Sequence, residues 1–186
     1  MISHCFHTSD SIFEEVHLMP NVKNVDERGN LVQSYSLTSI ASLKGWGDFR
    51  IQQQNIVKSN QGSIRGMHRT KNSYPTRKIL TCLSGEIKDV LLDTCKASAT
   101  FGEYKSFILV GSKPEILCIP SCLAHGFQTI SQESIVAYLL DQEYDPAAEI
   151  NLNPFDPTIS HLWDSPFILS DKDSSANFLK SYATFD

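Results

Sequence analysis

The sequence predicts an all-β fold, and three observations along its 186 residues lead to that prediction. Short apolar runs rich in β-branched residues recur, which is typical of strands. Turn residues separate these runs about every 8–12 positions, which favours a sandwich or a barrel. No run is followed by a convincing amphipathic helix of about ten residues, so a parallel α/β sheet is disfavoured.

The predicted elements follow one another in a simple order. Ser84-Gly85-Glu86 stands between two apolar runs and predicts the tight turn of a hairpin. Short helices are predicted at Thr38–Lys44 and within Ser174–Tyr182. This set favours a cupin-type jelly roll, a double-stranded β-helix with a few short helices. The predicted strands span residues 49–58, 77–83, 87–93, 104–110, 115–119, 126–130 and 134–140.

Length and charge indicate one domain, residues 1–186, that does not bind nucleic acid. A chain of this size builds one proper core but hardly two, and its formal net charge of −5 lacks the basic excess of nucleic-acid binders. The first residues lack the features of a signal peptide, and no apolar stretch of about 18 residues predicts a membrane span. The five cysteines, an odd number, favour free thiols and a cytoplasmic protein.

Two histidines are candidates for proton-transfer chemistry, because imidazole exchanges protons near neutral pH. His68 ends the motif R-G-M-H after a predicted strand, and a surface histidine at a strand end is the alternative interpretation. His125 lies between Pro120 and Gly126, which indicates a turn that presents the ring. A hydrogen-bonded structural histidine is the alternative at that position.

The same residues do not predict a metal site. Metal-binding cupins usually carry two histidines separated by one residue, whereas Arg69 and Thr70 follow His68. Cys118 and Cys122 lack the second ligand pair that a tetrahedral zinc site needs. Phosphate loops, dinucleotide fingerprints and nucleophile elbows are absent from the sequence as well. We therefore expect neither a metal nor a cofactor.

Several motifs that are weak alone follow one another in a specific order. D-E-R-G at 26–29 is by itself a turn, and L-S-D-K-D at 169–173 is by itself a polar loop or a helix cap. Between them come Q-x-N, R-G-x-H, a lysine ten residues later, G-E-x-x-D-V-x-x-D, F-G, I-P-x-x-x-A-H-G-F, a tyrosine, and Y-x-P. From Asp26 to Asp173 the ordered set resembles the dTDP-4-dehydrorhamnose 3,5-epimerase family of nucleotide-sugar epimerases, within the cupin superfamily.

The resemblance implies a jelly roll, a homodimer and an isomerase without metal or cofactor. The implied substrate is a nucleotide-diphosphate 4-keto-6-deoxy sugar, and such enzymes often serve bacterial cell-surface polysaccharide synthesis, for example of an O-antigen. His68 would be the base, with Asp173 holding its tautomer. Tyr138 would deliver a proton to the opposite face, and Lys78 would lie near the ketone oxygen.

The resemblance also implies a set of binding residues. Arginines would meet the diphosphate, Tyr144 would flank the nucleotide base, and the remaining polar residues would line the sugar and phosphate region. Arginine suits a diphosphate because its planar guanidinium binds two oxygens at once. The implied substrate-binding residues are Arg28, Gln33, Gln53, Asn55, Arg65, His125 and Tyr144.

The sequence departs from the family pattern at two positions. Gln33 stands where dTDP-using members are expected to carry a glutamate, and its amide both donates and accepts hydrogen bonds, so it suits cytosine at least as well as thymine. A CDP sugar is therefore an alternative to a dTDP sugar. Leu139 replaces the lysine that commonly follows Tyr138, which leaves inversion at C3 alone, or at C3 and C5, open. The alternative functions are a 4-keto sugar ketoisomerase and a catalytically inactive nucleotide-sugar binding protein.

Overall fold

The computed structural model describes residues 11–181, except for the side chain of Ser181, and it contains two five-stranded antiparallel sheets. The strands of the first sheet follow the order β1-β9-β6-β11-β4, and those of the second follow β12-β5-β10-β7-β8. The strands β2 and β3 form a separate hairpin. The strands are β1 His17–Pro20, β2 Val22–Asp26, β3 Gly29–Gln33, β4 Gln53–Asn60, β5 Ile64–Thr70, β6 Lys78–Ser84, β7 Glu86–Asp93, β8 Tyr104–Val110, β9 Glu115–Ile119, β10 Leu123–Thr129, β11 Glu133–Leu140 and β12 Glu149–Asn151.

The main core lies between the two sheets. Leu80 and Val136 from the first sheet pack in one cluster with Ile87, Leu91 and Phe127 from the second. All five side chains are almost completely buried. Each such side chain contributes about 1.5–3 kcal/mol relative to an exposed one, so the face-to-face packing of the sheets contributes strongly to the stability of the fold.

Helical segments and loops cover the outer faces of the sheets. The helix α1, Leu37–Ala41, is capped by Ser36 and places Ile40 beside Trp46 in a cluster on the first sheet. The segment after β12 covers the second sheet with Ile159 and Trp163. This segment continues into the helix α2, Asp171–Ser174, whose N-cap is Ser170. Because residues alternate sides along a strand, the inner strands are packed on both faces, whereas the edge strands β4 and β8 keep exposed residues. The 3₁₀ turns are Ile12–Glu15, Ser160–Leu162 and Leu179–Ser181.

The predicted jelly roll is confirmed, with most of its strands. The predicted strands 104–110 and 115–119 match β8 and β9 to the residue. The predicted strand 49–58 starts only at Gln53, because Phe49 packs in the outer cluster with α1. The helix predicted at 38–44 runs from Leu37 to Ala41. Part of the prediction for the C-terminal tail, at Tyr182, lies outside the described residues.

The structure contradicts two interpretations of the sequence, the alternative of a strand-end position for His68 and the turn predicted at His125. His68 lies within β5, a strand that the sequence did not predict, and not at a strand end. His125 lies within β10 and not in a turn. Gly66 and Gly126 explain both errors, because they let β5 and β10 approach closely: a Cβ on Gly66, which has a φ of +131°, would lie 2.4 Å from the Cα of Gly126.

The cysteines and helices bear on two further expectations. Cys82, Cys95 and Cys118 are free, whereas Cys122 is disulfide-bonded, so the expectation of free thiols is wrong at Cys122. Cys5 lies outside the described residues. Among residues 11–181, no helix has the length and apolar character that crossing a bilayer requires.

Candidate active site

A histidine–aspartate pair stands at the centre of the site. Nε2 of His68 on β5 lies 2.6 Å from Oδ1 of Asp173 on α2. The backbone N–H of Asp173 donates to the hydroxyl of the N-cap Ser170, which fixes the start of the helix. Burial alone would raise the pKa of Asp173, but the hydrogen bond and charge of His68 outweigh that effect and lower it. Since an ionised carboxylate only accepts, Nε2 carries the hydrogen and Nδ1 has the free lone pair.

A second carboxylate, which the sequence did not indicate, lies beside the other ring nitrogen. Oε1 of Glu149 on β12 is 3.6 Å from Nδ1 of His68. It accepts a hydrogen bond of 2.9 Å from Lys172, and Oε2 accepts one of 2.7 Å from the Tyr144 hydroxyl. Burial raises the pKa of Glu149, but these two donors outweigh it and hold the pKa below its ordinary value. The carboxylate is therefore ionised at neutral pH.

Lys78 is the cation closest to the backbone of His68. It begins β6, and its Nζ donates to the backbone oxygen of His68 at 3.2 Å. Removal of the ammonium group from water lowers the pKa of Lys78 to about 8, although the charges of Glu149 and Asp89 oppose the shift. At neutral pH the group is still mostly protonated, so it presents a positive charge close to the imidazole of His68.

Two adjoining cavities open onto these groups. The larger has a volume of about 540 Å³ and the smaller of about 110 Å³. His68, Lys78 and Tyr138 line both cavities, so an imidazole, an ammonium and a phenol face a shared space. Asp173 lines the larger cavity as well. The four residues implied to be catalytic are thus brought together.

A second histidine–aspartate pair lies beside the first. His125 on β10 is opposite His68 on β5, and its Nε2 lies 2.7 Å from Oδ2 of the fully buried Asp89. Burial lowers the pKa of His125 despite the nearby carboxylate, and it raises the pKa of Asp89. His125 lines the larger cavity. It is therefore both hydrogen-bonded, as the alternative interpretation had it, and in reach of a bound molecule.

Three of the other polar residues implied to bind substrate line one cavity each, and Gln53 lines neither. Arg65 lines the larger cavity, and its Nε donates to the hydroxyl of Ser59 at 2.9 Å. Asn55 and Tyr144 line the smaller one. Gln53 links Asn55 to Tyr144. Its amide donates to Oδ1 of Asn55 at 2.9 Å and accepts from the backbone N–H of Tyr144 at 2.7 Å. The phenol of Tyr144 has a pKa raised to about 12 by its hydrogen bond to Glu149.

Arg28 and Gln33 are not brought to the site within one chain. Both lie on the hairpin β2–β3, which pairs only with itself in the sheets described. Arg28 forms an ion pair with Asp26, and its side chain is 89% exposed. Neither residue lines either cavity. The expectation that they meet the substrate stays a prediction, since within one chain their hairpin pairs with neither five-stranded sheet.

The sequence and the fold match proteins of known activity. The family model of dTDP-4-dehydrorhamnose 3,5-epimerase matches residues 11–181. A dTDP-4-dehydrorhamnose 3,5-epimerase of Mycobacterium tuberculosis is 33% identical over 159 residues, which cover 82% of this chain and 77% of that protein.

Two solved structures extend the comparison. A dTDP-6-deoxy-D-glucose-3,5-epimerase from Legionella pneumophila, in complex with dTDP-4-keto-L-rhamnose, has a TM-score of 0.84 at 29% identity and covers 92% of this chain and 91% of that one. A 3'-monoepimerase from Streptomyces bikiniensis, in complex with dTDP-quinovose, has a TM-score of 0.84 at 26% identity, with 90% and 85% covered. The chain belongs to the dTDP-4-dehydrorhamnose 3,5-epimerase family and is an isomerase.

Proposed function

We propose that this protein inverts carbon beside the ketone of a dTDP-linked 4-keto-6-deoxyhexose. The observation that carries the proposal is the shared cavity surface of His68, Lys78 and Tyr138, with Asp173 bonded to Nε2 of the histidine. A ketone makes the neighbouring C–H acidic, so inversion needs a base, a charge stabiliser and an acid around one ring. These three groups meet that need.

In this mechanism His68 removes the proton through Nδ1. Asp173 keeps the hydrogen on Nε2, and it stabilises the imidazolium that forms. The electron pair of the broken C–H bond moves into an enolate, whose negative charge lies on the former ketone oxygen. The ammonium of Lys78 stabilises that charge, and it does so strongly because its site is shielded from water.

Tyr138 completes the inversion from the opposite face of the sugar. Its phenol gives a proton to the enolate carbon, and the C–H bond that forms has the reverse configuration. Positioned acids and bases each contribute about 10²–10⁴-fold to such steps. The phenolate and imidazolium left at the end must exchange protons with water before the next turnover.

For the nucleotide we propose dTDP. The relatives above act on or bind dTDP sugars, whereas nothing in the comparisons supports the CDP sugar that Gln33 suggested. In the larger cavity, the guanidinium of Arg65 suits the diphosphate. We assign Gln53, Asn55 and His125 to the sugar and phosphate region and Tyr144 to the flank of the thymine.

A homodimer would give Arg28 and Gln33 a role. Their hairpin also exposes large apolar side chains, with Val25 71% and Leu31 66% accessible. Exposed apolar residues on a hairpin that pairs with neither sheet favour burial against another surface. We propose that the hairpin packs on a second copy of the chain, so that the Arg28 of one subunit meets the diphosphate bound to its partner.

Incubation with dTDP-4-keto-6-deoxyglucose in D₂O tests the proposal. We expect deuterium to enter at C3, because named relatives include both 3,5-epimerases and 3'-monoepimerases, and C3 is common to them. Deuterium at C5 as well would define a 3,5-epimerase. Movement of the ketone without inversion would identify a ketoisomerase, and tight binding without any exchange would identify a binding protein.

A further inference from the structure

In the proposed mechanism, His68 is protonated at Nδ1 after every inversion and must lose that proton. A second carboxylate, that of Glu149, lies beside Nδ1. We propose that Glu149 accepts this proton from Nδ1 of His68 and passes it to water. The inference deepens the proposed epimerase function and rests on it. It concerns the recovery of the enzyme between turnovers and not the inversion itself.

The two carboxylates around His68 differ in their access to solvent. The side chain of Asp173 is 6% exposed, and it belongs to a helix turn that Ser170 caps. Glu149 is itself only 11% exposed, but its two hydrogen-bond donors, Tyr144 and Lys172, are each about half exposed. The imidazole of His68 is itself 25% exposed, through the cavities in which the sugar would bind. While a sugar covers that face, Glu149 connects the imidazole to the surface, and Asp173 does not.

Strand pairing and α2 hold this connection in place. Residue Glu149 pairs with Thr70 in the β12–β5 ladder, two positions from His68, so backbone hydrogen bonds set its position relative to the imidazole. Lys172 precedes Asp173 on α2. This short helix therefore supplies both the carboxylate at Nε2 of His68 and the ammonium group that binds Glu149. The separation of 3.6 Å between Nδ1 and Oε1 is too long for a hydrogen bond in the unprotonated state.

The proton balance of the step is simple. The N–H bond at Nδ1 of the imidazolium breaks, an O–H bond forms at Oε1 of Glu149, and the imidazole is again neutral. The O–H bond at Glu149 then breaks to water on the side of Tyr144 and Lys172. Tyr138 separately regains a proton from water. The 3.6 Å gap shortens when the imidazolium forms, because opposite charges then attract.

Glu149→Gln is the test, because it keeps the size of the side chain but removes the acceptor. In a rapid-quench experiment with substrate in excess, we expect a burst of about one equivalent of C3 inversion at nearly the wild-type rate, followed by turnover slowed on the order of tenfold or more. Glu149→Ala should behave alike, and added formate should restore its later turnovers. Glu133→Gln, an exposed carboxylate paired with Lys58, is the matched control.

Three outcomes would overturn the proposal. Unchanged steady-state turnover in Glu149→Gln would show that His68 loses its proton directly to water. A first turnover slowed as much as the later ones would make Glu149 a positioning residue. Failure of formate to restore Glu149→Ala, while dTDP binding by calorimetry stays intact, would exclude a carboxylate acceptor. Absence of C3 exchange in the wild type would instead refute the proposed function.

Discussion

Oδ1 of Asp173 lies 2.6 Å from Nε2 of His68, although 105 positions of sequence separate the two residues. The contact leaves Nδ1 as the nitrogen that can act as a base, so its loss should disturb the tautomer more than the fold. Asp173→Asn is expected to lower kcat by about 10²–10⁴-fold, because an amide can also donate to the ring. Calorimetry should show little change in dTDP affinity.

The neighbouring Asp171→Asn is the control for that change, since Asp171 is an exposed acidic residue of the same short helix. It should keep near-normal kcat. Equal losses in both variants would mean that the charge of α2 matters, and not the contact with His68.

Removal of the imidazole should separate binding from chemistry. His68→Ala is expected to lose turnover by about 10³-fold or more, because the base that removes the proton is gone while Asp173 and Lys78 remain. It should still bind dTDP, since Arg65 and the rest of the cavity wall remain. Near-normal rates of C3 exchange in this variant, followed by NMR in D₂O, would show that another group is the base.

Tyr138→Phe should uncouple proton removal from inversion. With the phenol gone, His68 can still take the C3 proton and return one to the same face. We therefore expect deuterium at C3 of recovered substrate, while the inverted product falls by about 10²–10⁴-fold. Tyr104→Phe on the edge strand β8, where the hydroxyl contacts His161, should match the wild type. Loss of both exchange and inversion in Tyr138→Phe would contradict the assignment of the acid.

The charge of Lys78 predicts the alkaline behaviour of the enzyme. Its pKa is lowered to about 8, so the ammonium is present below that pH and is lost as the pH rises through it. We expect kcat/KM to decline above a midpoint near 8, whereas an ordinary lysine would hold its charge to about 10.4. Lys78→Met should lower kcat by about 10²–10³-fold and remove this decline. A wild-type profile that stays flat to pH 10 would refute the prediction.

Mixed oligomers test whether the hairpin serves a partner. Arg28→Ala and His68→Ala should each be inactive alone. If the two positions belong to one site built from two subunits, a refolded equal mixture should regain roughly a quarter of the wild-type activity, because half the dimers carry one intact site. No recovery, with dimers present by sedimentation, would place Arg28 outside the site.

The close approach of β5 and β10 predicts a difference between two glycines. Gly66 and Gly29 have similar positive φ angles, +131° and +124°, but a Cβ would clash only at Gly66. Gly66→Ala should lower the free energy of unfolding by about 1–3 kcal/mol more than Gly29→Ala does. Urea denaturation at one protein concentration measures this difference, and equal losses would mean that β5 can move away from β10.

The sequence predicts the strands best where side-chain pattern alone decides them. The strands β8 and β9 alternate or run apolar between clear turn residues, and both were located to the residue. The strand β5 was not predicted, because Arg65, Gly66 and His68 interrupt any apolar pattern. That segment is a strand because β10 and β12 pair with it on both sides, and such pairing cannot be read from the segment itself.

The site shows the same division. Motif order was enough to predict that His68, Lys78, Tyr138 and Asp173 would come together. A single glutamate five positions after Tyr144 carries no such signal, and Glu149 became a candidate only when the β12–β5 ladder placed it beside the imidazole. Arg28 and Gln33 line neither cavity of the chain, and under the proposed dimer their role depends on a second copy.

The short helix α2 also comes late in the chain, although it carries the carboxylate partner of His68. All strands of both sheets end by Asn151, and Asp173 follows about twenty residues later. During synthesis the two sheets can therefore close around an imidazole that still lacks its carboxylate partner. A chain cut before α2 would therefore keep every strand of both sheets and still lack the carboxylate that orients His68.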